Sequence, residues 1–444
     1  MQWTDLLNLE RLKRPGYKEH PDRTIYVQDL DRIAFCAPFR RLANKTQVHP
    51  LYDNDHLHNR LIHSVETASV GRSLGMAVGR WLEERRAIEP GEKHVVSGLV
   101  QAACLAHDIG NPPFGHSGEA AIGQWFDEKF QGQDYLFRDI DDKLRTEFCN
   151  FEGNAQGFRI LTRLEMYRNQ GGMQLSHGVL GAFTKYPATA YVQSVEKSEN
   201  CDLKKFGIFD SEEYLFEEVA SSLGLPSEKS KNGRWWRRHP LVFLVEAADD
   251  ICYNVMDVED AYISDDLEFE TVVTALRPLS GMENPQRKGQ LQEEHVAELR
   301  ARGISAAVKA CVAAFDQNYD LIMKGEYSSS LLKNSQKAEQ FDRMKELARN
   351  RIFTGRRKTE LEVFGRNVIH RVLEGVLPVF QELRDLKWQK SDLGSYNEQV
   401  VRAINLDLRD VTDSYSALHA MTDYVSGMTD RYSVKVAEML AGKK

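Results

Sequence analysis

The segment from Val95 to His107 constrains the fold more than any other part of this 444-residue chain. Its side chains are almost all apolar or small, which is typical of a helix that is buried on every side. Elsewhere the apolar residues recur mostly at helical spacing, as in the amphipathic run from Arg60 to Arg85, and alternating strands are scarce. The sequence therefore predicts an all-α protein built around a buried helix.

Further helices are predicted on both sides of that segment. One begins near Ser117, after the loop from Gly110 to Gly115, whose two prolines and two glycines end the buried helix. The others cover residues 154–167, 240–261, 304–323, 335–350 and 359–387. Two stretches, 187–238 and 277–294, are polar enough to be surface excursions, and Ala190–Val195 in the first allows one short hairpin insertion.

Composition narrows the class of protein. A net charge of −8 argues against a surface that coats nucleic acid, so an anionic ligand would need a local cluster of Arg and Lys. The six cysteines form no CxxC pair, as expected in a reducing compartment. There is no signal-like N-terminus and no apolar run of the ~20 residues that span a bilayer. We therefore expect a cytoplasmic protein that does not associate with membranes.

The buried helix ends in the adjacent pair His107 and Asp108. An ionised aspartate at the end of an apolar helix costs several kcal/mol unless it is paired or bound to a metal. The helix dipole also disfavours negative charge at a C-terminal end. A cation near the helix end removes both difficulties, and both side chains can reach it there.

His63 and Asp249 are candidates for the same ion. His63 lies on the buried side of its predicted helix, where a lone histidine is also a common core residue. Asp249 shares a helix face with Tyr253 and Asp257 at spacing i, i+4, i+8, which could equally be a solvated stripe. Two imidazoles and two carboxylates suit Mg²⁺, Mn²⁺ or Fe²⁺, and they leave coordination positions for water and substrate.

These residues resemble the HD superfamily of metal-dependent phosphohydrolases, whose metal ligands read H…HD…D. Within it, the chain is most similar to the dGTP triphosphohydrolases. The similarity covers roughly the first 260 residues in order and is less distinct in the C-terminal third. Its segments are 38–48, 59–64, 107–119, 151–157 and 246–257.

The resemblance implies an all-α, HD-domain helical core with a helical C-terminal extension. Because the candidate ligands run from His63 to Asp249, no domain boundary can fall between them. We place the catalytic core at residues 1–276. The helical region at 277–444 would pack on the core and take part in oligomerisation.

The resemblance also implies metal-dependent hydrolysis of a deoxynucleoside triphosphate, with dGTP as the first candidate, to the deoxynucleoside and inorganic tripolyphosphate. It assigns metal binding to His63, His107, Asp108 and Asp249, and catalysis to His116 with its carboxylate partner Glu119. Arg60, Lys185 and Tyr186 would contact phosphates, Gln47 and Asp257 the sugar 3′-hydroxyl, and Tyr253 the deoxyribose ring. Asn154 is a further expected substrate contact.

Other interpretations remain open at this point. His116 could simply cap its loop, and Lys185 could be an ordinary solvated lysine. A different HD phosphohydrolase would act on nucleoside monophosphates, cyclic dinucleotides or alarmones. A catalytically quiet nucleotide sensor would bind through the same site without turnover.

The densest basic run in this acidic chain is Arg351–Lys358. It is either a solvated loop or a surface that approaches a neighbouring subunit's phosphates or an effector site. The resemblance implies a homo-oligomer, with a hexamer as one candidate. A nucleotide or single-stranded DNA are the candidate effectors.

Overall fold

The computed structural model describes the chain except residues 21, 48–57, 133, 197–200, 284–285, 353–355 and 444, and the side chains of 356–358. The described part contains 21 α-helices and one two-stranded sheet, which confirms the predicted all-α class. The first thirteen helices are α1 (Trp3–Leu6), α2 (Ile25–Phe35), α3 (Ala37–Arg41), α4 (Arg60–Glu84), α5 (Lys93–Ala106), α6 (Gly115–Phe130), α7 (Tyr135–Arg138), α8 (Asp142–Cys149), α9 (Gly153–Arg159), α10 (His177–Phe183), α11 (Ala190–Val195), α12 (Glu213–Ser222) and α13 (Val242–Ile263). The remaining eight are α14 (Phe269–Ser280), α15 (Gln292–Gln317), α16 (Tyr319–Lys324), α17 (Ala338–Leu347), α18 (Arg356–Asp385), α19 (Ser395–Ile404), α20 (Ser414–Ser426) and α21 (Asp430–Leu440).

Helices α4 and α5 pack unusually closely because three glycines at helical spacing face α5. A Cβ atom on Gly75 would lie 2.8 Å from the Cα of Ser97, and one on Gly79 would lie 2.7 Å from the Cα of Lys93. On Gly71 it would lie 2.4 Å from the Sγ of Cys104. Since real side chains cannot approach so closely, glycine at these positions lets the two backbones touch. This contact sets the distance between the ends of α4 and α5.

Two large hydrophobic clusters form the interior. The first draws residues from Trp3 to Ile352 and contains the apolar faces of α4, α5 and α13. The second joins α6 and α8 to the C-terminal helices α18, α20 and α21. The helices α4, α5 and α13, which position the predicted metal ligands, belong to the first cluster, whereas the helix that carries His116 belongs to the second.

The stretch 187–238 is not the surface excursion that its polarity predicts. Leu203, Phe206, Phe209 and Phe216 within it are buried, and they join the hydrophobic clusters. The segment Ala190–Val195 is the helix α11 rather than a hairpin strand, so that prediction is wrong. Its alternating apolar residues Ala190 and Val192 fit a single buried turn equally well.

A short hairpin does occur further along the chain. Strand β1 (Ser227–Ser230) pairs antiparallel with β2 (Gly233–Trp236), with Ser227 opposite Trp236. Strand β1 is fully exposed, while Trp235 and Trp236 of β2 are buried. The hairpin is therefore anchored by its second strand.

Most predicted helices are found within a few residues of their expected bounds. Two predicted helices differ more. The helix predicted at 304–323 is part of the longer α15 followed by α16, and the helix predicted at 154–167 is α9, which ends at Arg159 and continues only as a π-helical turn over Ile160–Leu164. In the stretch 277–294, the residues up to Ser280 continue α14 and those from Gln292 on belong to α15, so that among the described residues only 281–283 and 286–291 lie outside helices. The division at residue 276 between a catalytic core and a C-terminal region stays a prediction. No helix in the described part of the chain is long and apolar enough to cross a membrane.

We expect Gly75→Ala to lower the free energy of unfolding by about 1–3 kcal/mol, because the added methyl group meets the backbone of α5. Alanine is the better helix former by about 1 kcal/mol, so helix propensity alone predicts the opposite sign. Urea denaturation of both proteins measures the difference. Ser73→Ala, at an exposed position of the same helix, is the matched control. A Gly75→Ala protein as stable as the parent would contradict the close contact.

Candidate active site

The first turn of α4 carries Arg60 and His63. The side chain of Asn59 accepts hydrogen bonds from the backbone amides of Leu61 and Ile62, at 3.1 and 3.0 Å, and so fixes where the helix begins. His63 then points inward and is 2% exposed. Helix α5 ends at Ala106, so that His107 and Asp108 follow at its C-terminal end as the sequence predicts.

Three of the four predicted metal ligands meet at one point. The Nε2 of His63 lies 3.1 Å from the Oδ1 of Asp249, and the Nε2 of His107 lies 3.6 Å from the same oxygen. One ligand atom from each of the three side chains lies within 4.8 Å of the others. The Nδ1–H of His107 donates to the carbonyl of Cys104 at 2.7 Å. This bond leaves the electron pair of Nε2 free, which is the arrangement that a metal-binding imidazole needs.

The charges of this group are mutually compensated. Burial alone would raise the pKa of Asp249, but His107 and His63 outweigh it and lower the pKa of that carboxyl. Burial likewise opposes protonation of His63, but the bond to Asp249 raises its pKa. The half-buried carboxylate is thus held ionised where it faces the cavity, which is the state in which it can bind a cation.

Asp108 lies beside this group but faces other partners. Its Oδ1 is 3.6 Å from the Nε2 of His107, and its Oδ2 accepts a hydrogen bond from Arg60 at 2.8 Å. The amide of Asn111 donates to Oδ1. Against the effect of burial, Arg60 and His107 lower the pKa of Asp108.

His116 and Glu119 form a directly bonded pair near the start of α6. The Nδ1–H of His116 donates to the Oε2 of Glu119 at 2.6 Å, and the backbone amide of Gly153 donates to Oε1 at 2.8 Å. Glu119 is 8% exposed, whereas the His116 side chain is 84% exposed. The hydrogen bond and charge of Glu119 raise the pKa of His116. The pair therefore presents an oriented imidazole that binds a proton more tightly than free histidine does.

A cavity of about 380 Å³ connects these two groups. Every predicted site residue lines it except His63, which lies behind Asp249, and Asp257, which is 4% exposed one helical turn beyond Tyr253. The lining residues among those predicted are Gln47, Arg60, His107, Asp108, His116, Glu119, Asn154, Lys185, Tyr186, Asp249 and Tyr253.

Lys185 is held over the cavity by an ion pair. Its Nζ lies 3.1 Å from the Oε1 of Glu246, whose other oxygen lies 3.3 Å from Arg238. Although burial opposes both charges, Glu246 raises the pKa of Lys185, and Lys185 lowers the pKa of Glu246. Lys185 is therefore a fixed cation rather than a freely solvated lysine.

Gln47 brings a polar atom into the cavity wall. Its Oε1 is buried, and among the residues that the structure describes no group donates a hydrogen bond to it. A buried acceptor without a partner costs about 1–3 kcal/mol. A ligand hydroxyl that donates to this oxygen would remove that cost.

Sequence reasoning missed several cavity residues. Lys205, whose Nζ lies 2.8 Å from the Oε2 of Glu152, sits in the stretch that was expected at the surface. The apolar residues Leu203 and Phe206 on either side of it were a usable sign of burial. Leu361 and Glu362 of α18 also line the cavity. No local signal marks these two, because only packing brings α18 to the site.

Comparison with known proteins supplies an independent finding. Residues 60–149 match the HD domain family. A deoxyguanosinetriphosphate triphosphohydrolase-like protein of Pseudomonas aeruginosa (strain LESB58) is 37% identical over 100% of this chain and 99% of its own length. A protein of the same description from Synechocystis sp. is 36% identical over the same shares. The deoxyguanosinetriphosphate triphosphohydrolase of Enterobacter sp. is 29% identical over 94% of this chain and 93% of its own length.

The chain belongs to the deoxyguanosinetriphosphate triphosphohydrolase-like family of HD-domain proteins. The resemblance inferred from the motifs is thereby confirmed. Family membership extends over the full length, so the C-terminal third, which matches the motifs less distinctly, belongs to the family as well. The HD match begins at Arg60, the first residue of α4, and includes His63, His107 and His116. Asp249 lies outside the matched residues, and α13 brings it to the other ligands.

We expect Glu119→Gln to lower the pKa of His116 toward the ordinary value of about 6.5, because the negative charge that favours the imidazolium is lost. NMR titration of the His116 ring, assigned by its disappearance in His116→Asn, measures this pKa. Glu339→Gln, which changes an exposed partner of Arg343 that does not line the cavity, should leave it unchanged. An equal pKa in Glu119→Gln and the parent would show that the pair does not set the charge of His116.

Proposed function

We propose that this protein is a metal-dependent deoxynucleoside triphosphate triphosphohydrolase. Its first candidate substrate is dGTP, and its products would be the deoxynucleoside and inorganic tripolyphosphate. The observation that carries the proposal is the convergence of the group His63, His107 and Asp249 with the His116–Glu119 pair in one cavity. The names of the full-length relatives support both the reaction and the substrate.

The donor set fits a divalent cation. Two imidazole nitrogens and a carboxylate oxygen lie within 4.8 Å of one another, and mixed N/O ligands suit Mg²⁺, Mn²⁺ or Fe²⁺. We propose His63, His107 and Asp249 as ligands, with Asp108 as the fourth. When bound, such an ion polarises a phosphoryl oxygen and lowers the pKa of water.

His116 would serve as the acid of the reaction. Hydrolysis to tripolyphosphate requires that water attack the α-phosphorus and that the bond from this phosphorus to the sugar O5′ break. The leaving O5′ needs a proton, and the exposed imidazolium of His116, oriented by Glu119, can donate it. The buried Glu119 would then stabilise the imidazole in the orientation that it needs for the next turnover.

The charge of the cavity argues that a cation accompanies the substrate. Among the described lining residues, carboxylates outnumber the basic side chains Arg60, Lys185 and Lys205. The carboxylates are Asp108, Glu119, Glu152, Glu246, Asp249, Asp250 and Glu362. A triphosphate is strongly anionic, so it would be repelled from this cavity without added positive charge. We propose Arg60, Lys185, Tyr186 and Asn154 as its direct contacts, with the metal supplying the remaining positive charge.

The sugar would lie against α13 and Gln47. The unsatisfied Oε1 of Gln47 can accept a hydrogen bond from the 3′-hydroxyl, and Asp257 is proposed as its second partner. Tyr253 lines the cavity one helical turn after Asp249. A tyrosine packed against the ring at this place would leave no room for a 2′-hydroxyl.

The predictions about assembly and regulation remain part of this proposal. The protein would be a homo-oligomer, with the hexamer as one candidate, and residues 277–444 would take part in its assembly. A nucleotide or single-stranded DNA could act as effector. The basic run Arg351–Lys358 lies largely outside the described residues; of its side chains the structure describes Arg351, which is exposed, and Ile352, which is buried.

The first test is a screen of the four dNTPs with Mg²⁺ or Mn²⁺, with ion chromatography of the phosphate product. We expect tripolyphosphate in equal amount to deoxynucleoside. His107→Ala, which removes one proposed ligand, should lower turnover by at least about 100-fold. Orthophosphate or pyrophosphate as the product would favour a different HD phosphohydrolase. Absence of turnover with every metal would favour a nucleotide sensor.

The second test concerns selection of the sugar. We expect Tyr253→Ala to reduce the ratio of kcat/KM for dGTP over GTP by about tenfold or more, since a steric contact of this size is worth about 1–3 kcal/mol. Tyr262→Ala, on the same helix but outside the cavity, is the control and should keep the ratio. Unchanged discrimination in Tyr253→Ala would remove Tyr253 from this role.

A further inference from the structure

The C-terminal helix α21 begins at Asp430, whose carboxylate is bonded to two loops of the active-site cavity. Its Oδ2 accepts a hydrogen bond from the backbone amide of Thr46 at 3.0 Å and another from the Thr46 hydroxyl. Its Oδ1 accepts from the backbone amide of Phe114 at 3.1 Å. Asp430 is 2% exposed, and these partners are 384 and 316 residues away in sequence. One buried carboxylate therefore joins two segments that are distant in the sequence.

Each of the two loops carries a residue of the proposed site. Thr46 precedes Gln47, the proposed contact of the 3′-hydroxyl. Phe114 lies two residues before His116, the proposed acid. Both Thr46 and Phe114 themselves line the cavity. A shift of Asp430 would thus move both the proposed contact of the 3′-hydroxyl and the proposed acid.

Phe114 holds a backbone conformation that needs support. Its φ is +62°, in the left-handed region that costs a residue with a side chain roughly 1–2 kcal/mol. Such a conformation persists only where surrounding contacts impose it. Asp430 holds its amide, and α18 encloses its ring: a Cβ on Gly365 would lie 2.6 Å from the Cγ of Phe114. Helix α6, with His116 in its first turn, starts directly after this residue.

Lys45, next to Thr46, forms a second link between the same loop and the C-terminal helices. The Nζ of Lys45, which is 3% exposed, donates to the carbonyl of Asn111 at 2.6 Å and to the carbonyl of Ser426 at 2.7 Å. Ser426 ends α20, four residues before Asp430. The loop from Asn111 to Phe114 is therefore joined to the C-terminal helices at both ends. Asn111 is joined through Lys45, and Phe114 is bonded directly to Asp430.

We propose that Asp430 is a positioning residue, which sets His116 through Phe114 and Gln47 through Thr46 relative to the metal-binding group. This inference rests on the proposed function for the roles of His116 and Gln47, and it adds a residue outside the cavity. Asp430 touches neither the metal-binding group nor the cavity itself. It acts on the reaction only through the loops that it holds.

Asp430→Asn tests the proposal with the smallest change of shape. An amide has one acceptor oxygen and presents N–H donors where the second loop's amide also donates, so only one of the two loops can stay bonded. A displacement of about 1 Å at a reacting group can cost about 100-fold in rate. We expect kcat to fall by about 10- to 100-fold, while Mn²⁺ affinity, measured by the free-Mn²⁺ EPR signal, stays within about threefold.

Two further variants separate positioning from loss of folding. Asp413→Asn is the control, because Asp413 is an exposed aspartate at the start of the neighbouring helix α20 that bonds only within its own turn, to the amide of Ser416 at 2.7 Å. It should keep the parent kcat. Asp430→Glu retains the charge but displaces it by one methylene. It should also lower kcat, and it replaces Asp430→Asn if that protein does not fold.

A double variant checks the route through His116. If Asp430 acts largely by placing His116, Asp430→Asn should cost no more than about threefold in a His116→Ala background. A kcat of Asp430→Asn within twofold of the parent would overturn the proposal, and a full additional loss in the His116→Ala background would overturn its route through Phe114 and His116.

An activity-free measurement keeps the inference separate from the proposed function. The NMR signal of the His116 ring should shift in Asp430→Asn and stay in place in Asp413→Asn. If the parent protein hydrolyses no dNTP, the proposed function fails, whereas the shift of this signal still decides whether Asp430 positions His116. An unmoved signal would contradict the positioning role even in an active enzyme.

Discussion

The contact of Asp249 with the imidazoles of His63 and His107 is the interaction on which the arrangement of the core depends. It joins the start of α4, the end of α5 and the middle of α13. Even a half-buried carboxylate is costly unless positive or hydrogen-bonding groups surround it, which favours the meeting of these three helices at one point. The glycines of α4 make this possible, because they let its backbone touch α5. Packing of the first hydrophobic cluster thereby fixes the geometry of the proposed metal site.

Each basic side chain of the cavity is already bonded to a carboxylate. Arg60 pairs with Asp108, Lys185 with Glu246 and Lys205 with Glu152. The ion pairs keep these cations ordered before substrate arrives, which lowers the cost of arranging them during binding. A triphosphate bound as proposed would have to compete with these carboxylates. Competition of this kind favours ligands that carry several negative charges together with a metal ion over singly charged ones.

The site lies where two separately packed regions meet. The first cluster packs the helices that carry the proposed metal ligands, and the second packs the helix that carries His116 and Glu119. Side chains from the C-terminal region cross this junction: Leu361 and Glu362 line the cavity, and Asp430 holds two of its loops. The C-terminal region thus lines part of the cavity and holds two of its loops, in addition to packing on the core.

Local patterns in the sequence determined the helical class, most helix bounds and the family. Apolar residues at helical spacing encode each helix, and the motifs at 38–48, 59–64, 107–119, 151–157 and 246–257 together indicate the HD-domain relatives. Nearly all of the residues that these patterns predict for the site line one cavity, although their roles remain proposals. Where local pattern and burial disagreed, prediction was wrong: Ala190–Val195 alternates like a strand but forms a helical turn, and the polar stretch around Lys205 is held inward by Leu203 and Phe206.

Only the tertiary structure decided which distant polar groups are partners. The pairing of Lys205 with Glu152, the reach of Glu362 into the cavity and the bonds of Asp430 to Thr46 and Phe114 leave no periodic trace in the sequence. The physical reason is that periodicity records which side of its own helix a residue faces. Which group it meets across the interior depends on how whole helices pack, and that is set by many apolar contacts together.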